Sequence, residues 1–358
     1  MLSRIDLHNF KNHLDVGFSF DSVNIIVWPN WSGKTNILDA IYFIINWHLY
    51  WSQTNSNVLN FSSWSYLLDA SMPGEFIDSK LRITYDLDSD RQSFFYNNSK
   101  VTRPKFISSN NCIAIFFSPL EMNVIYLWPA LRRDFLDEVS ALDDHAFIKV
   151  KSDYQKILRN RNRLLKDIKE GKASESDLSF WNASFAEKAS EYYIHRLKFI
   201  DFIKSNLSVV EKMLESKYNI KFEYQTKADL SDVKWSIIKY LNENSQRDII
   251  TWHTYIWPHL DDFLFYAKVW SSFHLSSESL SRWENKSILM ALKMLEIKFF
   301  KAHHQEEIIL LLDDIFAELD VRHMELVLSY AKRYQTFITT QNLPDFLHLD
   351  EQFKRIYI

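Results

Sequence analysis

Val23-Asn24-Ile25-Ile26-Val27-Trp28-Pro29-Asn30-Trp31-Ser32-Gly33-Lys34-Thr35 decides how this chain reads. Val23 to Val27 is short, β-branched and apolar, the composition of a buried strand. Beyond Thr35, the residues Ile37, Leu38, Ile41, Tyr42 and Ile45 recur at the spacing of one helix face. Between the two, Trp28 to Thr35 meets the phosphate-loop pattern G-x-x-x-x-G-K-[ST] at every element but the first glycine. In such a loop successive backbone N–H groups cradle phosphates, the lysine neutralises the outer phosphates and the hydroxyl holds Mg²⁺. Trp28, Pro29, Asn30, Trp31, Ser32 and Gly33 are therefore expected to line a nucleoside triphosphate, with Lys34 and Thr35 in the two charged roles. So short a pattern arises by accident; its place between strand and helix is what argues for it.

The rest of the chain supplies partners for that loop. Ile308 to Leu312 is a very apolar strand that delivers Asp313-Asp314 at its end, the layout of a Walker B strand. Asp313 is expected to hold Mg²⁺ through water, and Asp314 to polarise or accept from the attacking water. Two acids after a strand can also be an ordinary helix start. Ala317-Glu318-Leu319-Asp320 follows at once and resembles the D-loop that ABC-type ATPases place across their dimer interface. Leu280 to Ser287 opens a helix about thirty residues earlier, in the slot of the ABC signature motif, where Ser281 would grip the γ-phosphate held by a second subunit. The plain alternative there is a serine N-cap.

Elsewhere, Leu2, Ile5 and Leu7, then Val16 to Phe20, read as strands around a polar turn at Lys11 to His13. Further strands are expected at Leu81 to Leu87, Phe94 to Tyr96 and Ala114 to Phe117, and β-like segments at Phe222 to Tyr224 and Thr251 to Ile256. From Leu131 to Lys221 the pattern is long and helical, and a helix is expected from Ser281 to Phe300. Between Lys149 and Lys172 nine basic residues face three acidic ones, which suits either a solvated arm helix or a DNA-contacting face. No fixed-period repeat or low-complexity tract is present. The fold class expected is α/β: an ABC-type P-loop ATPase head with an inserted, mostly helical second lobe. Its ATPase lobe takes residues 1–125 and 247–358, and the arm takes residues 126–246. Lys34, Asp313 and the Arg132-Arg133 region are expected near one another.

With 358 residues, nearly half of them hydrophobic, the chain can bury two cores. A formal net charge of -4 excludes a global positive field, so any DNA contact must be a local patch. The longest apolar runs, near Ala40 to Ile45 and Ile113 to Phe117, are too short to span a bilayer, so no membrane partner is expected. Met1 to Lys11 lacks a secretory layout, and Cys112 stands alone, which excludes a disulfide framework and points to a reducing cytoplasm.

Taken in order, these segments resemble the RecF family almost end to end. Gly33 to Tyr42 is similar to that family's GKTN-LLEAIY. Phe117-Ser118-Pro119 and Trp128 to Asp137 resemble its FSP and G-P-x-x-RR-x-FLD. Trp257 to Asp262 resembles GPHRDD with Leu260 in place of arginine, and Leu310 to Asp320 and Phe337 to Thr340 match LLLDDVFSELD and FITTT. Six ordered motifs are far more specific than any one. The resemblance implies an ATP-driven homodimer that uses Mg²⁺, contacts single-stranded DNA or gapped duplex, and works with recombination mediator proteins in replication, gap repair and the SOS response.

The departures fall on one residue type. Trp28, Trp31, Trp128, Trp257 and Trp283 each stand where the family has glycine, and the same reading extends to Trp252 and Trp64. Trp181 falls where the family itself favours an aromatic. Four glycines in the whole chain is about 1%, against a usual share of roughly 7%. An indole cannot supply the positive φ or the close backbone approach that a phosphate loop needs. Either the nucleotide site has decayed, or the gene comes from a cell that reads UGA as glycine. Decay scatters across residue types, whereas here Lys34, Thr35, Ser281, Asp313 and Asp314 all survive. Sequencing the gene is expected to find UGA at codons 28, 31, 128, 257 and 283; UGG there would reject recoding and favour a nucleotide-free scaffold.

Overall fold

The computed structural model describes residues 1–27, 33–50, 54–74, 78–118, 121–126, 128–256, 258–315, 321–341 and 353–357. It opens with β1 (Arg4–Phe10) and β2 (His13–Ser19), an antiparallel pair joined by the expected turn. Ile5 and Leu7 are fully buried while their neighbours are not, as period-two alternation requires. β3 (Val23–Val27) is buried at four of its five positions, the mark of a strand covered on both faces. After the loop comes α1 (Lys34–Asn46), whose Ile37, Leu38, Ile41 and Ile44 are fully buried. Each such side chain stabilises the fold by about 1.5–3 kcal/mol.

The chain then forms α2 (Asn55–Val58), β4 (Ser65–Met72), β5 (Ser79–Asp86), β6 (Arg91–Tyr96), β7 (Ser99–Val101), α3 (Arg103–Ser108) and β8 (Cys112–Phe117). The middle of the chain is mostly helical: α4 (Met122–Tyr126), α5 (Pro129–Asp143), α6 (Ala146–Lys169), α7 (Leu178–Ser205) and α8 (Leu207–Met213). β9 (Ile220–Gln225), α9 (Val233–Glu243), α10 (Ser245–Thr251), β10 (Asp262–Val269), β11 (Ser272–Leu275), α11 (Ser276–Ser279) and α12 (Arg282–His303) follow. The final segment holds β12 (Glu307–Leu312), α13 (Val321–Ala331), β13 (Gln335–Thr340) and β14 (Lys354–Tyr357).

Two compact units result. Residues 1–121 and 305–358 form the first, with a parallel sheet ordered β14-β3-β13-β12-β8 and an antiparallel sheet ordered β2-β1-β4-β5-β6-β7. In it the Gln335 side chain grips the backbone of Leu2 on both sides, accepting from its N–H at 2.7 Å and donating to its carbonyl at 2.6 Å. Residues 122–304 form the second unit, helices around the sheet β11-β10-β9.

Two expectations need correction. Residues 247–304, assigned above to the ATPase lobe, pack with the middle of the chain instead. α12 lies against α8, α7, α4 and α5, and its buried face of Ile288, Leu292, Leu295 and Phe299 is satisfied there. Nor is Thr251 to Ile256 a strand. α10 ends at Thr251, Trp252 turns to φ 58°, and the side chains beyond are taken up by arginines: Arg161 donates to Thr254, and the Arg247 guanidinium lies 4.2 Å from the Tyr255 ring centroid.

Among the described residues three tryptophans carry left-handed backbone. Trp47 (φ 55°) ends α1 and Trp252 (φ 58°) ends α10, the place where helices favour glycine. Trp270 (φ 59°) is the first central residue of the two-residue turn between β10 and β11, and Ser271 after it has no positive φ. The two-residue turn with that φ pattern prefers glycine at its first central position. Trp128 and Trp283 differ: Trp128 has φ −68° as the N-cap of α5, and Trp283 lies in the first turn of α12. Neither has a positive φ, so their backbone makes no demand for glycine, and both side chains are exposed. Trp270 is 96% exposed and packs little. Trp270→Gly is therefore expected to raise stability by about 1 kcal/mol, the left-handed penalty less the entropy glycine costs. Urea unfolding midpoints check this, with Trp270→Ala giving no comparable gain.

Candidate nucleotide site

The first unit assembles its site from both ends of the chain. β3 and β12 run parallel with β13 between them, so the C-terminal ends of the two outer strands open on one side of the sheet. In open parallel sheets that edge is where ligands bind. α1 starts there, capped by Gly33 at φ 95° and with no acidic residue in its first turn, which leaves its N-terminal N–H groups for an anion. The φ of Gly33 is one that residues with a Cβ rarely adopt, and a Cβ there would fall 2.3 to 2.7 Å from side-chain atoms of Asn12, which would have to move.

Lys34 and Thr35 then meet the two carboxylates expected of them. The Thr35 hydroxyl lies 3.0 Å from both Oδ1 and Oδ2 of Asp313, and Lys34 Nζ lies 3.6 Å from Asp314 Oδ1. Lys34 is buried, and so is Asp313. Burial pushes the Asp313 carboxyl above its usual range, and the nearby carboxylates of Asp314 and Asp39 push the same way, against donation from Thr339 and Thr35. A carboxylate under that pressure gains from a cation beside it.

A second ring of contacts escaped the sequence reading. The turn between β1 and β2 meets the start of α1: His13 Nε2 donates to the Gly33 carbonyl at 3.2 Å, and Asn36 Nδ2 donates to Asn12 Oδ1 at 2.7 Å. Burial lowers the His13 pKa, so its ring stays neutral there. Lys11 pairs with Asp39 on α1. From β13, Thr339 donates to Asp313 Oδ1 at 2.6 Å. A Thr-Thr pair directly after the apolar Phe337-Ile338, at the end of a fully buried strand, was the available signal.

Other expected site residues belong to the second unit or fall outside what is described. Trp28, Pro29, Asn30, Trp31, Ser32, Trp257 and Asp320 lie outside the described residues. Ser281 belongs to the second unit, exposed, where it caps α12: Glu284 N–H donates to its Oγ at 3.3 Å, and Glu284 Oε2 accepts from the Ser281 N–H at 2.8 Å. That is the capping box of the plain alternative.

Arg132 and Arg133 also belong to the second unit, and their partners lie within it. Arg132 Nε and Nη2 donate to Asp262 at 2.5 and 2.7 Å, and Arg133 donates to the Asp261 carbonyl at 3.1 Å. Nearby, Asp137 accepts from Arg196 at 2.7 Å and from Tyr192 at 2.6 Å, while Tyr154 bonds His259 at 2.8 Å. The Arg-Arg-x-Phe-Leu-Asp and Pro-His-x-Asp-Asp motifs are thus two halves of one buried polar lattice. Among their described residues they serve the second unit's architecture.

No family model matches the chain. Curated relatives match over its whole length. The protein named DNA replication and repair protein RecF from Streptococcus thermophilus is 26% identical over 370 residues, covering 100% of this chain and 96% of that protein. The protein of the same name from Acetivibrio thermocellus is 27% identical over 374 residues, covering 99% of each. Among solved structures, a recombination mediator protein RecF with bound ATPrS from the RecFOR pathway superposes with a TM-score of 0.86 at 22% identity, covering 100% of this chain and 96% of that one. The Smc head domain of Pyrococcus furiosus reaches 0.52 at 18% identity, covering 97% and 90%. The fold is thus that of the solved RecF and Smc head structures, α/β with a helical lobe, and over its whole length this chain is similar to curated proteins named RecF.

Proposed function

We propose that this chain is an ATP-dependent DNA-binding protein of replication, recombinational gap repair and the SOS response. The observation that carries the reading is the meeting of Lys34 and Thr35 with Asp314 and Asp313 across 278 residues of sequence. A hydroxyl and a carboxylate at one point are hard oxygen donors of the kind Mg²⁺ takes, with water and phosphate oxygens completing its shell. The described residues hold no cluster of three His, Cys, Asp or Glu that would suit another metal. Full-length relatives named for DNA replication and repair support the reading, as does a like-folded RecF described with ATP.

Mg²⁺·ATP in this site would supply the bond to be cleaved and the cation that offsets its charge. Thr35 Oγ1, and Asp313 through water, would hold the cation. Lys34 would neutralise the outer phosphate oxygens, and Asp314 would orient or accept from the attacking water. Ser281 and Asp320 complete the site of a second copy, so ATP binding and homodimer formation are one event. Recombination mediator proteins are the further partners, and the cytoplasm is the setting; among the described residues no helix is long and apolar enough to cross a membrane.

DNA contact falls to α6. Of its basic residues Arg161 is fully buried against Asp248, and Lys151 pairs with Asp137 at 2.8 Å. Lys149, Lys156, Arg159 and Arg163 are exposed, with no ion pair among the described residues. Their spacing of seven, three and four places them on one helix face, a stripe roughly 20 Å long at 1.5 Å per residue. Asp167 closes its far end. Two copies laid along one duplex double the phosphates neutralised, so affinity depends on ATP.

Two measurements test this. ATP binding is compared between the chain and a version carrying Trp28→Gly, Trp31→Gly and Trp283→Gly. Binding restored or tightened by the glycines is expected, and no binding by either version would overturn the proposal in favour of a nucleotide-free scaffold. Separately, changing Lys149, Lys156, Arg159 and Arg163 to Gln is expected to flatten the salt dependence of DNA affinity by about 0.9 for each phosphate no longer neutralised. ATP binding should stay unchanged. A salt slope equal to that of the unsubstituted chain would remove α6 from the DNA interface.

A further inference from the structure

Asp313 and Asp314 are consecutive, yet both serve the start of α1: one faces Thr35, the other Lys34. Successive side chains of an extended strand point to opposite faces, so two adjacent residues cannot do this without a turn between them. The turn is visible. Asp314 has φ 44°, the left-handed region that an L-residue enters at a cost of roughly 1–2 kcal/mol. Such backbone persists only where its surroundings hold it.

Among the described residues, one hydroxyl ties the Asp314 backbone. The register Leu312↔Ile338 sets Thr339 beside Asp313. Thr339 is fully buried; its Oγ1 donates to Asp313 Oδ1 at 2.6 Å and accepts from the Asp314 backbone N–H at 2.9 Å. A hydroxyl is the smallest side-chain group that can donate and accept at once. Valine has the same shape and can do neither.

We propose that Thr339 is a positioning residue of the nucleotide site, fixing the Asp313 carboxylate toward Thr35 while pinning the left-handed turn that aims Asp314 at Lys34. The assignment rests on the nucleotide reading above for its purpose and on the two hydrogen bonds for its mechanism. Loss of the hydroxyl lets the backbone at 314 relax toward extended geometry. Asp314 then swings off the Lys34 side, and Asp313 keeps only its Thr35 contact.

The test compares the full chain with Thr339→Val and Thr339→Ser, in the background that binds ATP best. Residue-resolved hydrogen exchange without nucleotide reads the Asp314 amide directly. The valine chain is expected to exchange there about tenfold faster while amides elsewhere in β12 keep their protection. Nucleotide affinity without Mg²⁺ should stay within about twofold. The gain in affinity on adding Mg²⁺, and the rate of hydrolysis, should each fall roughly tenfold, the size of a lost hydrogen bond to a charged group. Serine should restore all three. Should the valine chain fail to fold, Thr339→Ala is read in the same way. Unchanged exchange at Asp314, or a serine chain that behaves like valine, overturns the proposal. Absence of ATP binding in every version refutes the nucleotide reading instead, and the exchange measurement still decides whether Thr339 pins the turn.

Discussion

Thr336 to Thr340 lie in parallel register with Val23 to Val27, so strands from opposite ends of the chain share one ladder, and the chemistry of the first unit hangs on that pairing. A parallel ladder aligns the strands' C-terminal ends, which is why the loop after β3 and the carboxylates after β12 open on the same edge. The grip of Gln335 on Leu2 belongs to the same constraint, since it ties the first residues to the strand that separates β3 from β12. Buried on both faces, β3 and β12 carry near-continuous apolar runs. β13 is as buried but mostly polar, with Gln335, Thr336, Thr339 and Thr340 around Phe337 and Ile338, and its Thr339 is hydrogen-bonded to Asp313 in the site.

The motifs divide by the physics they serve. Lys34, Thr35, Asp313 and Asp314 leave donors and acceptors turned toward one another at a sheet edge, an arrangement that can open for a ligand. Arg132, Asp137 and Arg196 are buried charges, and with the part-buried Asp262 they close into paired hydrogen bonds. Removing one partner from such a lattice costs roughly 3–5 kcal/mol, because the other charge is stranded. Both kinds read alike as charged motifs in sequence. Only the first has the geometry of a reaction site.

Backbone conformation adds what residue matching alone could not for the tryptophans. Trp47, Trp252 and Trp270 sit at left-handed φ in two helix ends and a tight turn, places whose geometry is set by hydrogen bonding and favours the residue with no Cβ. Trp47 and Trp270 belong to no family motif, so this is an independent sign that glycine suits positions where this chain carries tryptophan. Trp128 and Trp283 show the converse, since an exposed N-cap and an exposed first-turn position tolerate a large side chain.

Local chemistry was legible by itself. Apolar periodicity gave β1, β3, α1, α12 and β12, because burial on one or both faces writes a period into the residues. The loop pattern and the paired acids named Lys34, Thr35, Asp313 and Asp314, because phosphate and Mg²⁺ demand those groups at those spacings. Tertiary structure alone decided what depends on distant pairing. It placed residues 247–304 with the middle of the chain, through the face α12 buries. It set Arg132 against Asp262, made Ser281 the N-cap of α12, and dissolved the apparent strand at Thr251 to Ile256 by a left-handed turn and the pull of arginines on the residues beyond it. It also brought Thr339 beside Asp313, since a hydroxyl's role is set by which strand lies next to its own, and strand order is written in no local pattern.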